Sequence, residues 1–182
     1  LVLTNKGISG GSILGNIKSA VMNTTDGKLE ADLITLEVGA NDGDNPLGSI
    51  YDIGDSTFCG ALNKCIQYLQ ANTTAQIVVM SSTASRYHLG DASNLYNIGD
   101  TFGSDNHSKF EQQAATRKCC EVNSVYYIPF GDGLGLGLAR MQANNLYVTD
   151  NIHHTDLGGY NLAQGIWGYL KNIPLWYTAI PS

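Results

Sequence analysis

Basic residues are scarce in this chain and never cluster. Ten Lys and Arg stand against 16 Asp and Glu in 182 residues, for a formal net charge of −6. The sequence therefore offers no cationic surface on which phosphates could displace counterions, which argues against a nucleic-acid partner. Long apolar runs are missing too. Stretches such as Gln76–Met80 fall far short of the roughly 20 residues that a membrane span requires. The four cysteines, Cys59, Cys65, Cys119 and Cys120, form no C-x-x-C pair of the kind used by zinc and redox sites. They read as small buried thiols, with one disulfide left open. No internal repeat and no Pro- or Ser-rich linker divides the chain. With 43% hydrophobic residues, it reads as a single domain over 1–182.

What is present is a recurrence of short aliphatic and β-branched runs. Leu1–Leu3, Leu33–Val38, Gln76–Met80 and Val125–Ile128 are continuous rather than alternating, the pattern of strands buried on both faces. Helical patterns lie between them. Phe58, Leu62, Cys65, Ile66 and Leu69 share one helical face, and a cap is expected just ahead of Phe58. Near the C-terminus, Thr155 and Asp156 read as an N-terminal cap, followed by Tyr160, Ala163, Trp167 and Leu170 on one stripe. Strand and helix alternate, which predicts an α/β fold with a parallel sheet covered on both faces. Active groups in such folds gather on the loops at the carboxyl ends of strands. The long polar segment from Ser81 to Ser108 lacks periodicity and reads as a loop over that edge.

Three polar turns fall where those loops are expected. Asn5-Lys6-Gly7-Ile8-Ser9-Gly10-Gly11 follows the first apolar run and Gly39-Ala40-Asn41-Asp42 the second. Asp150-Asn151-Ile152-His153 stands just ahead of the last helix. An aspartate three residues before a histidine can accept the Nδ1 proton. That bond fixes the tautomer and leaves Nε2 free to act as a base. Taken together, Asn-x-Gly-x-Ser-Gly, Gly-x-Asn-Asp and Asp-x-x-His resemble the second, third and fifth sequence blocks of the SGNH hydrolases, in the right order. The resemblance spans Val2 to Leu170.

The resemblance implies a three-layer α/β/α fold with a flavodoxin-like parallel sheet, and a serine esterase that needs no metal and no cofactor. It maps the oxyanion-binding glycine to Gly10, the oxyanion-binding asparagine to Asn41, the base to His153 and its orienting acid to Asp150. Donors aimed at a developing oxyanion are each worth about 3 kcal/mol. Implied substrates are short acyl esters of small molecules or carbohydrates, O-acetyl groups among them. The first block, a Gly-Asp-Ser-Leu-like turn carrying the nucleophile, should precede Leu1, so the domain is expected to be incomplete at its N-terminus. Its strand would lie between Leu1–Leu3 and Leu33–Val38 and would come from a preceding segment or a second chain.

Other candidates carry less. Gly54-Asp55-Ser56-Thr57 spells a similar turn, but in the place of a helix cap, which makes Ser56 a minor candidate nucleophile; Ser9 and Ser12 are weaker still. His88, His107 and His154 lack metal-ligand spacing and read as surface polar residues. Asp42, Asp44 and Asn45 resemble the start of a calcium loop without its remaining ligands. Gly131–Gly137, with alternate glycines, does not match G-x-G-x-x-G and reads as a flexible loop. Arg86 and Tyr87 are candidates to line the cleft. A catalytically silent module of the same fold, binding glycans or serving as a structural part, is the alternative reading.

Overall fold

The computed structural model describes residues 3–23, 31–82, 87–88, 91–95, 100–130 and 153–173, with 87–88 and 91–95 described by their backbone alone. Among these, the strands are β1 (Leu33–Val38), β2 (Gln76–Ser81), β3 (Tyr87–His88), β4 (Asp91–Leu95), β5 (Thr101–Phe102), β6 (His107–Ser108) and β7 (Tyr126–Ile128). The helices are α1 (Lys18–Met22), α2 (Phe58–Asn72), α3 (Lys109–Val122) and α4 (Asp156–Leu170); a π-helical turn, Ile13–Ile17, leads into α1.

Three strands form the central parallel sheet in the order β1-β2-β7. β1 meets β2 from Leu33↔Gln76 to Val38↔Ser81, and β2 meets β7 from Val78↔Tyr126 to Met80↔Ile128. Alternate residues serve opposite layers, as the period of a strand requires. Leu36, Val38, Ile77 and Val79 pack with Ile13 and with Phe58, Leu62, Cys65, Ile66 and Leu69 of α2 and Ala115, Cys119 and Cys120 of α3. Val78, Met80, Ile128 and Phe130 pack on the other face with Leu162, joined by Ile166, Leu170 and Ile173. The result is the three-layer α/β/α arrangement expected from the sequence.

The caps form as the residue types predict. Thr57 accepts from the Gly60 amide at 3.1 Å and starts α2, and Thr155 accepts from Gly158 N at 3.1 Å and starts α4. α3, which the apolar pattern does not reveal, opens on a full capping box: Ser108 Oγ accepts from Glu111 N while Glu111 Oε2 accepts from Ser108 N. The four cysteines are buried and free.

Three expectations need correcting. Leu3 lies in no strand and is 88% exposed, because no neighbouring strand pairs with it among the described residues; Leu1 and Val2 lie outside them. The segment Ser81–Ser108 is not all loop, since β3 pairs antiparallel with β4 and β5 with β6. Strands of two to five residues are too short to show a period in sequence. On α4, Gly158 and Leu162 are buried and Ile166 and Leu170 half-buried against the core; of the expected stripe only Leu170 faces it, since Ala163 is exposed and Tyr160 and Trp167 are each 62% exposed. The predicted stripe was one turn-angle off because α4 is apolar nearly all round.

Candidate active site

The first polar turn is closed by Gly11 N donating to Ile8 O at 3.0 Å, with Gly10 at φ +67° in its third position. That conformation favours glycine. The closing bond uses the Gly11 amide and leaves that of Gly10 outside the turn, and nothing lies within 4 Å of where a Cβ on Gly10 would stand. Ser12 is committed to capping: its Oγ accepts from Gly15 N at 3.1 Å.

The second turn follows β1 directly, at the carboxyl edge of the sheet. Asn41 is exposed, and its Nδ2 donates to Gly11 O at 3.3 Å, which joins the two turns. One of its two amide hydrogens is used in this way, and the other remains for a ligand. Asp42 is fully buried beneath them. Its Oδ1 accepts from Ile13 N at 2.8 Å and from Asn45 Nδ2 at 3.3 Å, and its Oδ2 accepts from Gly39 N at 3.2 Å. Burial pushes this carboxyl above its ordinary value, and the backbone donors and Lys109 pull it part of the way back. The carboxylate is thus spent on protein donors rather than facing outward as a cation ligand. Among the described residues no group of three or more His, Cys, Asp and Glu could hold a metal.

Behind Gly39 sits a layer that sequence reasoning missed. Lys109, the first residue of α3, is buried and donates from Nζ to Gly39 O. Burial pulls its ammonium down to about 8, against the opposing charge of Asp42. Ser82 Oγ and Gln112 Nε2 are buried nearby without a hydrogen-bond partner, both residues within 3.6 Å of where a Cβ on Gly39 would lie. Gly39 itself has φ +98°. The clue in sequence was the capping box that starts α3, which would have placed Lys109 at the carboxyl edge.

A hairpin of β5 and β6 pins the far side of the second turn. Asp105 Oδ2 accepts from Leu47 N at 2.6 Å, and its Oδ1 lies 2.7 Å from His107 Nδ1. Although partial burial raises the Asp105 carboxyl, the bonds from His107 and Leu47 hold it below its ordinary value. His107, read as a surface residue, is 5% exposed, because it packs inside the hairpin near Phe102. His154 is likewise half-buried rather than on the surface.

Of the expected site residues, the structure brings the Gly10 turn and Asn41 together. His153 is exposed, two residues ahead of the N-cap Thr155 of α4. Asp150 lies outside the described residues, as do Arg86 and the glycines of 131–137. Ser56 is exposed in the bend that precedes α2, next to Asp55, whose carboxylate is bound by Lys18 at 2.5 Å and Lys64 at 2.9 Å.

No family model and no curated protein sequence matches the chain. Solved structures do match it. A protein from Lactobacillus plantarum, a structural genomics target, superposes with a TM-score of 0.79 at 23% identity over 94% of this chain and 81% of its own. A mutant of Axe2, an acetyl-xylooligosaccharide esterase from Geobacillus stearothermophilus, gives 0.61 at 12% identity, covering 97% of this chain and 74% of its own. The same values hold for a catalytic mutant of that acetylxylan esterase in which alanine replaces a serine. At these identities the likeness establishes the fold, and the chain has the α/β architecture of these proteins. No helix among the described residues is long and apolar enough to cross a membrane.

Proposed function

We propose that residues 1–182 belong to a single SGNH-type domain, and that it is a serine esterase acting on short acyl esters, O-acetyl groups on carbohydrates foremost. The observation that carries this reading is the meeting of the Gly10 turn and Asn41, with Asn41 Nδ2 on Gly11 O at 3.3 Å. The turn that carries the Gly10 amide and the side-chain amide of Asn41 thus meet at the carboxyl edge of a parallel sheet. A carbonyl oxygen seated there gains little in the ground state and much as it becomes an oxyanion. The esterase activity of the structural neighbour Axe2, and the serine whose replacement makes its catalytic mutant, support the same chemistry.

The reaction runs in two halves. His153, oriented by Asp150, takes the proton of a serine hydroxyl as its oxygen bonds to the ester carbonyl carbon. The oxyanion is held by the Gly10 amide and Asn41 Nδ2. Collapse expels the alcohol, which His153 protonates, and leaves an acyl-serine. His153 then activates water, which releases the acid and restores the serine. The serine would stand on a turn beside β1, which is paired on one side only among the described strands. Ser56 is the candidate within the chain.

The test is hydrolysis of p-nitrophenyl acetate and of acetylated xylo-oligosaccharides by the full-length protein, beside His153→Ala. Loss of the base should cost a factor of roughly 10³ or more in kcat. A folded protein that cleaves none of these esters would favour a silent glycan-binding module instead.

A further inference from the structure

We infer that Lys109 is a positioning residue: with Asp42 it forms a buried clip of opposite charges that grips Gly39 from both sides and so fixes Asn41 against the Gly10 turn. The contacts are specific. Lys109 Nζ donates to the Gly39 carbonyl, while the Gly39 amide donates to Asp42 Oδ2 at 3.2 Å. The other oxygen of Asp42 holds Ile13 N at 2.8 Å, immediately after the Gly10–Ser12 stretch. Thus one carboxylate ties together the two turns that carry the proposed oxyanion donors, and the ammonium closes the opposite side. Charge-assisted bonds in a dry setting are stronger and more directional than neutral ones. Gly39 suits this position because its φ of +98° is a conformation that residues with a side chain rarely adopt.

The clip needs its charge. Among the described residues, the titratable groups nearest this end of α3 are Asp42 from the turn, Asp105 and His107 from the hairpin and Glu111 on its own helix. Of these, Asp42 is the one whose charge acts on the ammonium. When Lys109 loses its proton, Asp42 stays buried without a counter-charge and the grip on the Gly39 carbonyl weakens. The ammonium is expected to persist at neutral pH and to be lost as pH rises through about 8.

This inference rests on the proposed role of Asn41 for its catalytic consequence, but the clip itself is testable without any reaction. In the full-length protein, the Lys109 Cε resonance, the Gly39 carbonyl and the Asn41 side-chain amide should titrate together near pH 8 in nuclear magnetic resonance spectra. In Lys109→Met the Gly39 and Asn41 signals should show no inflection there. In hydrolysis of p-nitrophenyl acetate, Lys109→Met should lose roughly 10- to 100-fold in kcat, with KM changed by less than about twofold, and should lack the fall in kcat above pH 8. The double variant Asp42→Asn/Lys109→Met buries no lone charge. It keeps the test alive if the single variant does not fold, and its kcat should be equally low. Asn41 signals that ignore the lysine titration would overturn the clip, as would a Lys109→Met enzyme with the wild-type kcat and pH profile. A wild-type protein without esterase activity but with coupled titration would retain the clip and remove the esterase reading.

Discussion

Replacing Asp42 by Asn keeps its shape and removes its charge, and the structure sets the cost. Asp42 is 0% exposed and accepts from three donors, Ile13 N, Gly39 N and Asn45 Nδ2. An amide offers one oxygen. If that oxygen faces Ile13, the new NH2 meets the Gly39 N–H donor to donor, and if it is turned the other way Ile13 and Asn45 lose their acceptor. Each stranded buried donor costs about 1–3 kcal/mol. Lys109 also loses the carboxylate charge that offsets its burial, a further cost of the same order. These two costs overlap, because Lys109 can shed its proton, so the expected loss is about 4 kcal/mol. For a chain of this size each kcal/mol lowers Tm by about 2–4 °C, giving a drop of roughly 8–16 °C. Urea unfolding followed by far-ultraviolet circular dichroism measures it, with Asp44→Asn, on an exposed side chain of the same loop, as the control. A loss below about 1 kcal/mol for Asp42→Asn would refute the claim that this carboxylate holds the two turns.

Lys109 predicts a pH dependence of stability whose sign is fixed. Its folded value, about 8, lies below the ordinary 10.5, so between these values the unfolded chain binds the extra proton. Wild-type stability relative to Lys109→Met should therefore rise across that window, by on the order of 3 kcal/mol; a flat difference in urea titrations at pH 7.5 and 10 would contradict it. Thr57→Ala and Ser108→Ala should each lower stability by about 1 kcal/mol by removing the caps of α2 and α3, as read from denaturation midpoints. The thiols should be inert in the native protein. Burial pushes Cys65 and Cys120 up to about 12, and the bond to Cys59 together with burial raises Cys119; that same bond lowers Cys59, which is kept from reagent by its complete burial. Ellman's reagent at pH 8 should label none of the four until urea is added; prompt labelling would show that this core opens readily.

The sheet was legible because its strands are buried on both faces, and continuous runs such as Leu33–Val38 and Gln76–Met80 need no periodicity to be seen. α2 was legible because its burial is one-sided: Phe58, Leu62, Cys65, Ile66 and Leu69 are all 0–1% exposed. α3 was not, since its buried face includes the polar residues Lys109, Gln112, Gln113 and Thr116, of which Lys109 and Gln113 reach the carbonyls of Gly39 and Ser82 at the sheet edge. A hydrophobicity pattern cannot report a helix whose core-facing side is polar. The same reason hid the site's support. Gly10 and Asn41 carry recognisable turn chemistry, whereas Asp42 and His107 look like solvent-facing residues until the fold turns them inward.

That inward polarity is what the proposed oxyanion site would demand of its loops. A donor reserved for a ligand cannot be spent on its own turn, so under the proposed reading the Gly10 amide and one Asn41 amide hydrogen must stay available to substrate. Loops at the carboxyl edge have no ladder to lend them rigidity, and every other buried polar group in them must still be satisfied. Asp42, Lys109 and Asp105 supply those bonds, to Ile13, Gly39 and Leu47, and Asn45 braces Asp42 in turn. The buried charges thus stand in for secondary structure that the site cannot have. It follows that the stability the fold gives up in desolvating Lys109 and Asp42 is concentrated beneath the two residues whose positions the chemistry depends on most.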